Sequence, residues 1–325
     1  MLAEAKVQKG TMAHALKKPD KRPLMERILS ALNRDKFLWL MVLPGLAFYI
    51  IFCYGPMYGL VISFENYSPF RGTLGGPWVG FKWFIQFFHS PFFGRLMRNT
   101  ILLNIYSLFW GFPAPIIFAL MLNEVRHRKF KSIMQTVSYL PHFISVIVVV
   151  GILGSFLQPD TGLVNLALKS ITGNTINFMS EPGWFRTLYI SSGIWQDLGW
   201  SCIIYLAALA GIDPQLYEAA TIDGASKMRQ IWNITIPCLL PTIIIMLILS
   251  LGGMFSVGYE KVIAMYNTNT YETADVINTY VYRRGVAGGE YSFGTAVGLF
   301  QSVINFALVL IVNKVSSKVS EISLW

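Results

Sequence analysis

The sequence predicts an all-α integral membrane protein, and three observations carry that prediction. Of the 325 residues, 54% are hydrophobic and 13% are charged, against roughly 25% charged in soluble domains. Six stretches, 37–64, 99–122, 134–158, 188–212, 231–254 and 292–312, are apolar over the length of about 20 residues that a spanning helix needs. The basic residues concentrate in alternate loops between them. The 14% aromatic content excludes a largely disordered chain. Cys53, Cys202 and Cys238 all fall inside apolar runs, leaving neither a disulfide framework nor a Cys-x-x-Cys metal pair.

Two regions follow, a basic segment 1–36 and a six-span domain 37–325. The first segment is too long and polar for a cleaved signal peptide. Leu24, Met25, Ile28, Leu29 and Leu32 fall on one helical face there, which fits either an interfacial helix or a flexible basic lead-in. Pro44, Pro56, Pro113, Pro115, Pro141, Pro237 and Pro241 lie within the apolar stretches. Such breaks are tolerated in a bilayer where neighbours satisfy the freed carbonyls, so packed, kinked helices are expected. Seventeen of the 26 Lys and Arg lie in 1–36, 123–133, 213–230 and the tail, and nine in the other three loops. The positive-inside rule then puts both termini and the 213–230 loop in the cytoplasm. The net charge of +9 is thereby absorbed as a topology signal, with no nucleic acid implied.

The 213–230 loop is the most informative segment. Asp213 caps a helix whose first position is Pro214, and Gly224 ends it in the left-handed region. Ser226 is placed to cap a second helix. Leu216, Ala219, Ala220 and Ile222 give the turned-out helix a small apolar surface for docking. Glu218-Ala219-Ala220, three residues, Gly224, nine residues and Ile234-x-Ile236-Pro237 resemble the Glu-Ala-Ala loop of binding-protein-dependent ABC importer permeases. Ile236 stands where the family has Leu. Ile194-Trp195-Gln196 and Leu206-Ala207-Ala208-Leu209 are similar to the maltose-type carbohydrate permeases. The runs Asn278–Arg283 and Thr295–Ser302 are similar to the polysaccharide and complex-oligosaccharide branch, which includes a permease subunit of the bacterial alginate importer.

This resemblance covers residues 35–325 and implies the type I ABC importer permease fold, with a cytoplasmic coupling helix, in the bacterial inner membrane. It assigns coupling to Glu218, Ala219, Ala220, Asp223 and Gly224, which would dock in a groove of an ATPase subunit. The implied partners are a second, non-identical permease, two ATPase subunits, an external solute-binding protein, membrane lipid and a carbohydrate cargo. No Gly-x-x-x-x-Gly-Lys-Ser/Thr stretch exists in the chain, so ATP and Mg are expected on the ATPase subunits, with no cofactor or metal here.

No nucleophile–base–orienter set is apparent, so an enzyme is not expected. His142, beside Pro141, reads as a hydrogen-bonded packing residue. Asp197 is the clear intramembrane carboxylate, flanked by Trp195, Gln196 and Trp200. Carboxylates accept from sugar hydroxyls and aromatic faces cover pyranose C–H groups. Asp197, Trp195 and Gln196, with Gln301 and Asn305 at i and i+4 on the last span, are therefore substrate-path candidates. Alternatively Asp197 pairs with a polar neighbour and fixes packing, and a bare carboxylate would repel a uronic-acid cargo. The aromatics of 65–98 and 255–291, from Trp78 to Tyr291, form either a membrane belt or a docking rim for the binding protein. A permease for another solute class and a secondary transporter are the competing functions. The second would call for inverted repeats and several intramembrane charges.

Overall fold

The structure, a computed structural model, describes residues 36–320; the interfacial-helix pattern of the N-terminal segment lies outside them. Among the described residues the chain is helical, with one isolated antiparallel bridge between Glu65 and Trp78. It divides after Gly59, within α1 (Lys36–Phe64), and the candidate site lies wholly in the second unit.

Prolines shape three of the long helices in the same way. In α1, α3 (Phe93–Glu124) and α9 (Lys227–Gly252), a π-helical turn lies just ahead of Pro56, Pro113 and Pro237. Proline has no N–H and its ring collides with the carbonyl four residues back. A wider turn relieves that collision: the N–H of Phe112 donates to Ser107 O, five residues back, at 3.2 Å.

Short helices connect the long ones. They are α2 (Lys82–Phe88), α6 (Leu163–Thr172), α8 (Pro214–Ile222), α10 (Tyr259–Met265) and α11 (Tyr271–Ala274). A further helical stretch, α12, covers 277–287, and α13 (Tyr291–Ser320) ends the described chain.

Each of the six apolar stretches coincides with helix, but they are not alike. α1, α3, α9 and the Tyr291–Lys318 part of α13 are long and apolar enough to cross a membrane alone. The third stretch is a bent pair, α4 (Arg128–Phe143) and α5 (Val146–Leu157), turned by 102° at Ile144–Ser145. Pro141 ends the first arm, and the Ser145 hydroxyl accepts from Val148 N–H to start the second. The fourth, α7 (Pro182–Ala210), has 29 residues but carries Arg186, Gln196 and Asp197. Composition alone therefore counts four spans, or five with the bent pair.

α7 is the hub of the second unit, packing on α3, α4, α5, α9, α10 and α11. Phe185 and Leu188 join Leu103, Val150, Leu157 and Val262 in one core, and Cys202, Tyr205 and Leu209 join Ala119, Leu122 and Leu239 in another. Gly199 sits where α7 crosses α4; a Cβ there would lie 2.2 Å from Ser138 O, so only glycine permits this approach.

Candidate functional site

The first half of the site is the corner between α7 and α9. Asp213 Oδ1 accepts from Gln215 N–H at 2.9 Å and Pro214 occupies the first helical position. At the other end Gly224 has φ +74°. Gly224 N–H donates to Thr221 O at 3.1 Å and Ala225 N–H to Ala220 O at 2.8 Å, the paired bonds of a Schellman ending. Ser226 stands at the N-cap position of the next helix, but its hydroxyl makes no capping bond.

Two contacts fasten this corner to α9, and sequence reading had not found them. The Tyr217 hydroxyl meets Thr235 Oγ1 at 3.0 Å, and Gln230 Nε2 donates to Thr221 Oγ1 at 3.0 Å and to Ala225 O at 3.2 Å. Gln230 is 3% exposed; a glutamine preceding a long apolar run is the signal that would have marked it. What remains facing outward is the recognised motif. Glu218, Ala219, Asp223 and Gly224 are exposed and Ala220 is half-buried. Leu216, Ile222 and Met228 show large apolar surfaces, Ile222 being 86% exposed. A rigid, capped helix thus presents an apolar tip beside an acidic pair.

The second half is a series of cavities along α7. The first, about 560 Å³, is lined by Arg186, Thr187, Ser191, Tyr106 and Trp110. The next, about 580 Å³, holds Gln196, Asp197, Tyr189 and Lys261, and the third, about 730 Å³, holds Trp200, Tyr205 and Met254. Neighbouring cavities share walls: Ile190 and Ile194 belong to the first two, and Ser107, Gly111, Pro115 and Ser201 to the second and third. From Gly183 to Tyr205 the helix rises about 33 Å at 1.5 Å per residue, close to the roughly 30 Å of a hydrocarbon core.

The predicted path residues separate here. Asp197 lines the middle cavity with its side chain 57% exposed, and its Oδ1 also meets His142 Nδ1 at 2.8 Å. The His142 ring stacks on Trp200 at 4.5 Å. The carboxylate is therefore both a lining group and a packing partner. Gln196 lines the same cavity and donates from Nε2 to Ile144 O at 2.8 Å, so these adjacent α7 residues hold the α4–α5 bend. Trp195 is exposed and lines none of the three cavities. Gln301 and Asn305 do share a face, and that face meets the turn after α9. Gln301 Nε2 donates to Phe255 O at 2.8 Å, and Asn305 Oδ1 accepts from Phe255 N–H at 2.9 Å.

Lys261 was missed. It is 9% exposed, its Nζ donates to Tyr189 O at 3.0 Å, and it lies over the Tyr189 ring. Burial pushes its pKa down to about 8, against the opposing pull of Asp197. Nothing local in the sequence marks a lysine that reaches across to another helix. The outer aromatics also divide. Trp78, Phe81, Tyr259 and Tyr291 are exposed, Tyr280 is buried, and Tyr266 and Tyr271 lie against Arg283.

The chain matches the family described as "Binding-protein-dependent transport system inner membrane component" over residues 111–321. It is 44% identical over 297 residues to Protein LplB of Bacillus subtilis (strain 168), covering 91% of this chain and 93% of that protein. It is also 44% identical over 301 residues to the polygalacturonan/rhamnogalacturonan transport system permease protein YteP of the same organism, covering 93% and 94%. Among solved structures it resembles a chain of a bacterial alginate ABC transporter in complex with alginate pentasaccharide-bound periplasmic protein. The TM-score is 0.84 at 42% identity, covering 92% of this chain and all of that one.

Proposed function

Because the chain belongs to the binding-protein-dependent transport system inner membrane component family, we propose that it is the permease subunit of an ATP-driven importer moving an oligo- or polysaccharide from an external binding protein into the cytoplasm. It is a transport subunit and not an enzyme. ATP and Mg belong to two partner ATPase subunits. A second, non-identical permease completes the pathway, whose half on this chain is the cavity series along α7. Glu218, Ala219, Ala220, Asp223 and Gly224 form the coupling element, and both termini face the cytoplasm with it.

The observation that carries this reading is the α8 corner: a helix capped at both ends, fastened to α9, whose Ile222 tip is left uncovered. Leu216, Ile222 and Met228 together expose apolar surface at this one capped corner, the kind of patch that marks a partner's docking site. Fastening to α9 gives a route by which movement of the partner reaches the membrane helices. Copurification of the chain with an ATPase, and stimulation of that ATPase by sugar-loaded binding protein but not by the empty one, are expected. Failure of both overturns the reading. For orientation, Phe70→Cys should react with an impermeant maleimide in intact cells while Ser226→Cys is spared.

A further inference from the structure

Four of the nine Lys and Arg in the loops predicted to face outward meet in one place. Arg95 and Arg98 come from the first turns of α3, Arg186 from the start of α7, and Arg283 from α12. Two carboxylates stand against them. Asp275 is 0% exposed and is held by both forks of Arg283, at 2.8 and 2.9 Å, and by Arg95 at 3.4 Å. Arg98 reaches only the backbone O of Glu272, whose side chain is exposed. Asp275 is thus fully used, and the cluster keeps a positive surplus.

Arg98 and Arg186 share that surplus, and Arg186 is the one that faces a cavity. Its Nη2 donates to Asn99 Oδ1 at 2.9 Å, its Nε is buried without a partner, and among the described residues no carboxylate lies within ion-pair distance. Structural arginines are normally matched, as Arg283 is to Asp275. Arg186 instead lines the first α7 cavity, where it is the one charged side chain. Tyr106 and Trp110 offer aromatic faces beside it, and Thr187 and Ser191 offer hydroxyls one helical turn apart.

A fork-shaped cation between aromatic faces and hydroxyls suits an anionic sugar, and for a carbohydrate cargo that is a pyranose bearing a carboxylate. The geometry points to a uronate subsite in the first cavity, with the Arg186 guanidinium as the group that reads the carboxylate. This rests on the carbohydrate-importer reading and narrows it to acidic sugars. The middle cavity is compatible with such a cargo, since Asp197 is paired with His142 and lies near Lys261.

The test uses the purified complex without binding protein, titrated with trigalacturonate and with the same trisaccharide after reduction of its carboxyl groups. The acidic sugar should bind about tenfold or more tightly than the neutral one. Arg186→Gln should remove that preference, Arg186→Lys should keep part of it, and Arg71→Gln, outside the cavity, should keep all of it. A preference that survives Arg186→Gln overturns the assignment, as does equal binding of both sugars or binding of neither. ATP-driven uptake of any oligosaccharide by the same complex separates the two failures: if uptake persists the importer reading stands, and if none occurs it falls too.

Discussion

The α8 corner and the α7 cavities are held together over very different distances along the chain. At the corner the defining side-chain bonds span 2, 9 and 18 residues: Asp213 to Gln215, Gln230 to Thr221 and Tyr217 to Thr235. Along α7 they span 52, 55, 72 and 87 residues: Gln196 to Ile144, Asp197 to His142, Lys261 to Tyr189 and Arg186 to Asn99. A unit closed by local bonds keeps its shape when its surroundings move, which is what a lever requires. A wall assembled from distant segments changes shape whenever those segments shift, which is what a pathway that opens and closes requires. Rigidity at the corner and dependence along the wall are thus complementary properties of one device.

The sharpest way to break this comparison is at Gly224. A β-branched residue at φ +74° is strained by on the order of 1–3 kcal/mol, and the Schellman ending should be lost. Gly224→Val should leave the complex assembled while uptake and cargo-stimulated ATP hydrolysis fall together, by about tenfold or more. Normal coupled turnover in a well-expressed variant would remove the corner from the mechanism.

Along α7 the corresponding change is Asp197→Asn, which keeps the shape and loses the charge. The Asp197–His142 contact joins α7 to the α4–α5 bend, so the melting temperature of the solubilised complex should fall. His142→Asn should lower it similarly, and the double variant should lower it no further, the non-additivity expected of groups in contact. Additive losses would show that the two side chains act separately.

What could be read in the sequence follows the same division. Asp213, Pro214 and Gly224 announce the corner because caps and left-handed turns are chosen by residues a few positions away. Pro141 announces a break in the third apolar stretch for the same reason. Asp197 stood out by its rarity in a span, but its partner did not, since His142 is brought to it only by the bend. Arg186, Lys261 and the approach of Arg95 to Asp275 were invisible for that reason too, lying in contacts across 72 or more residues. The face shared by Gln301 and Asn305 was legible; that it meets the Phe255 turn was not.

A smaller effect is expected from pH. In the folded chain Lys261 sits at about 8 against an ordinary 10.5, so its charge is disfavoured by folding. That cost is fully present below about pH 8 and disappears as pH rises toward 10.5. From pH 7.5 to 9.5 the wild-type complex should therefore gain melting temperature relative to Lys261→Met, which lacks the cost at every pH. Parallel curves would mean that Lys261 titrates normally. The smallest effect belongs to Ser226→Ala. Because the Ser226 hydroxyl makes no capping bond, stability should change by less than about 0.5 kcal/mol, below the usual loss for a working N-cap. A drop of a full cap's worth would show that the bond forms in solution.

The most direct measurement is uptake of labelled oligosaccharide into proteoliposomes holding this chain with its sister permease and ATPase. Accumulation that requires both ATP on the ATPase side and sugar-loaded binding protein on the other is the predicted result. Accumulation driven by an ion gradient without ATP would contradict the account.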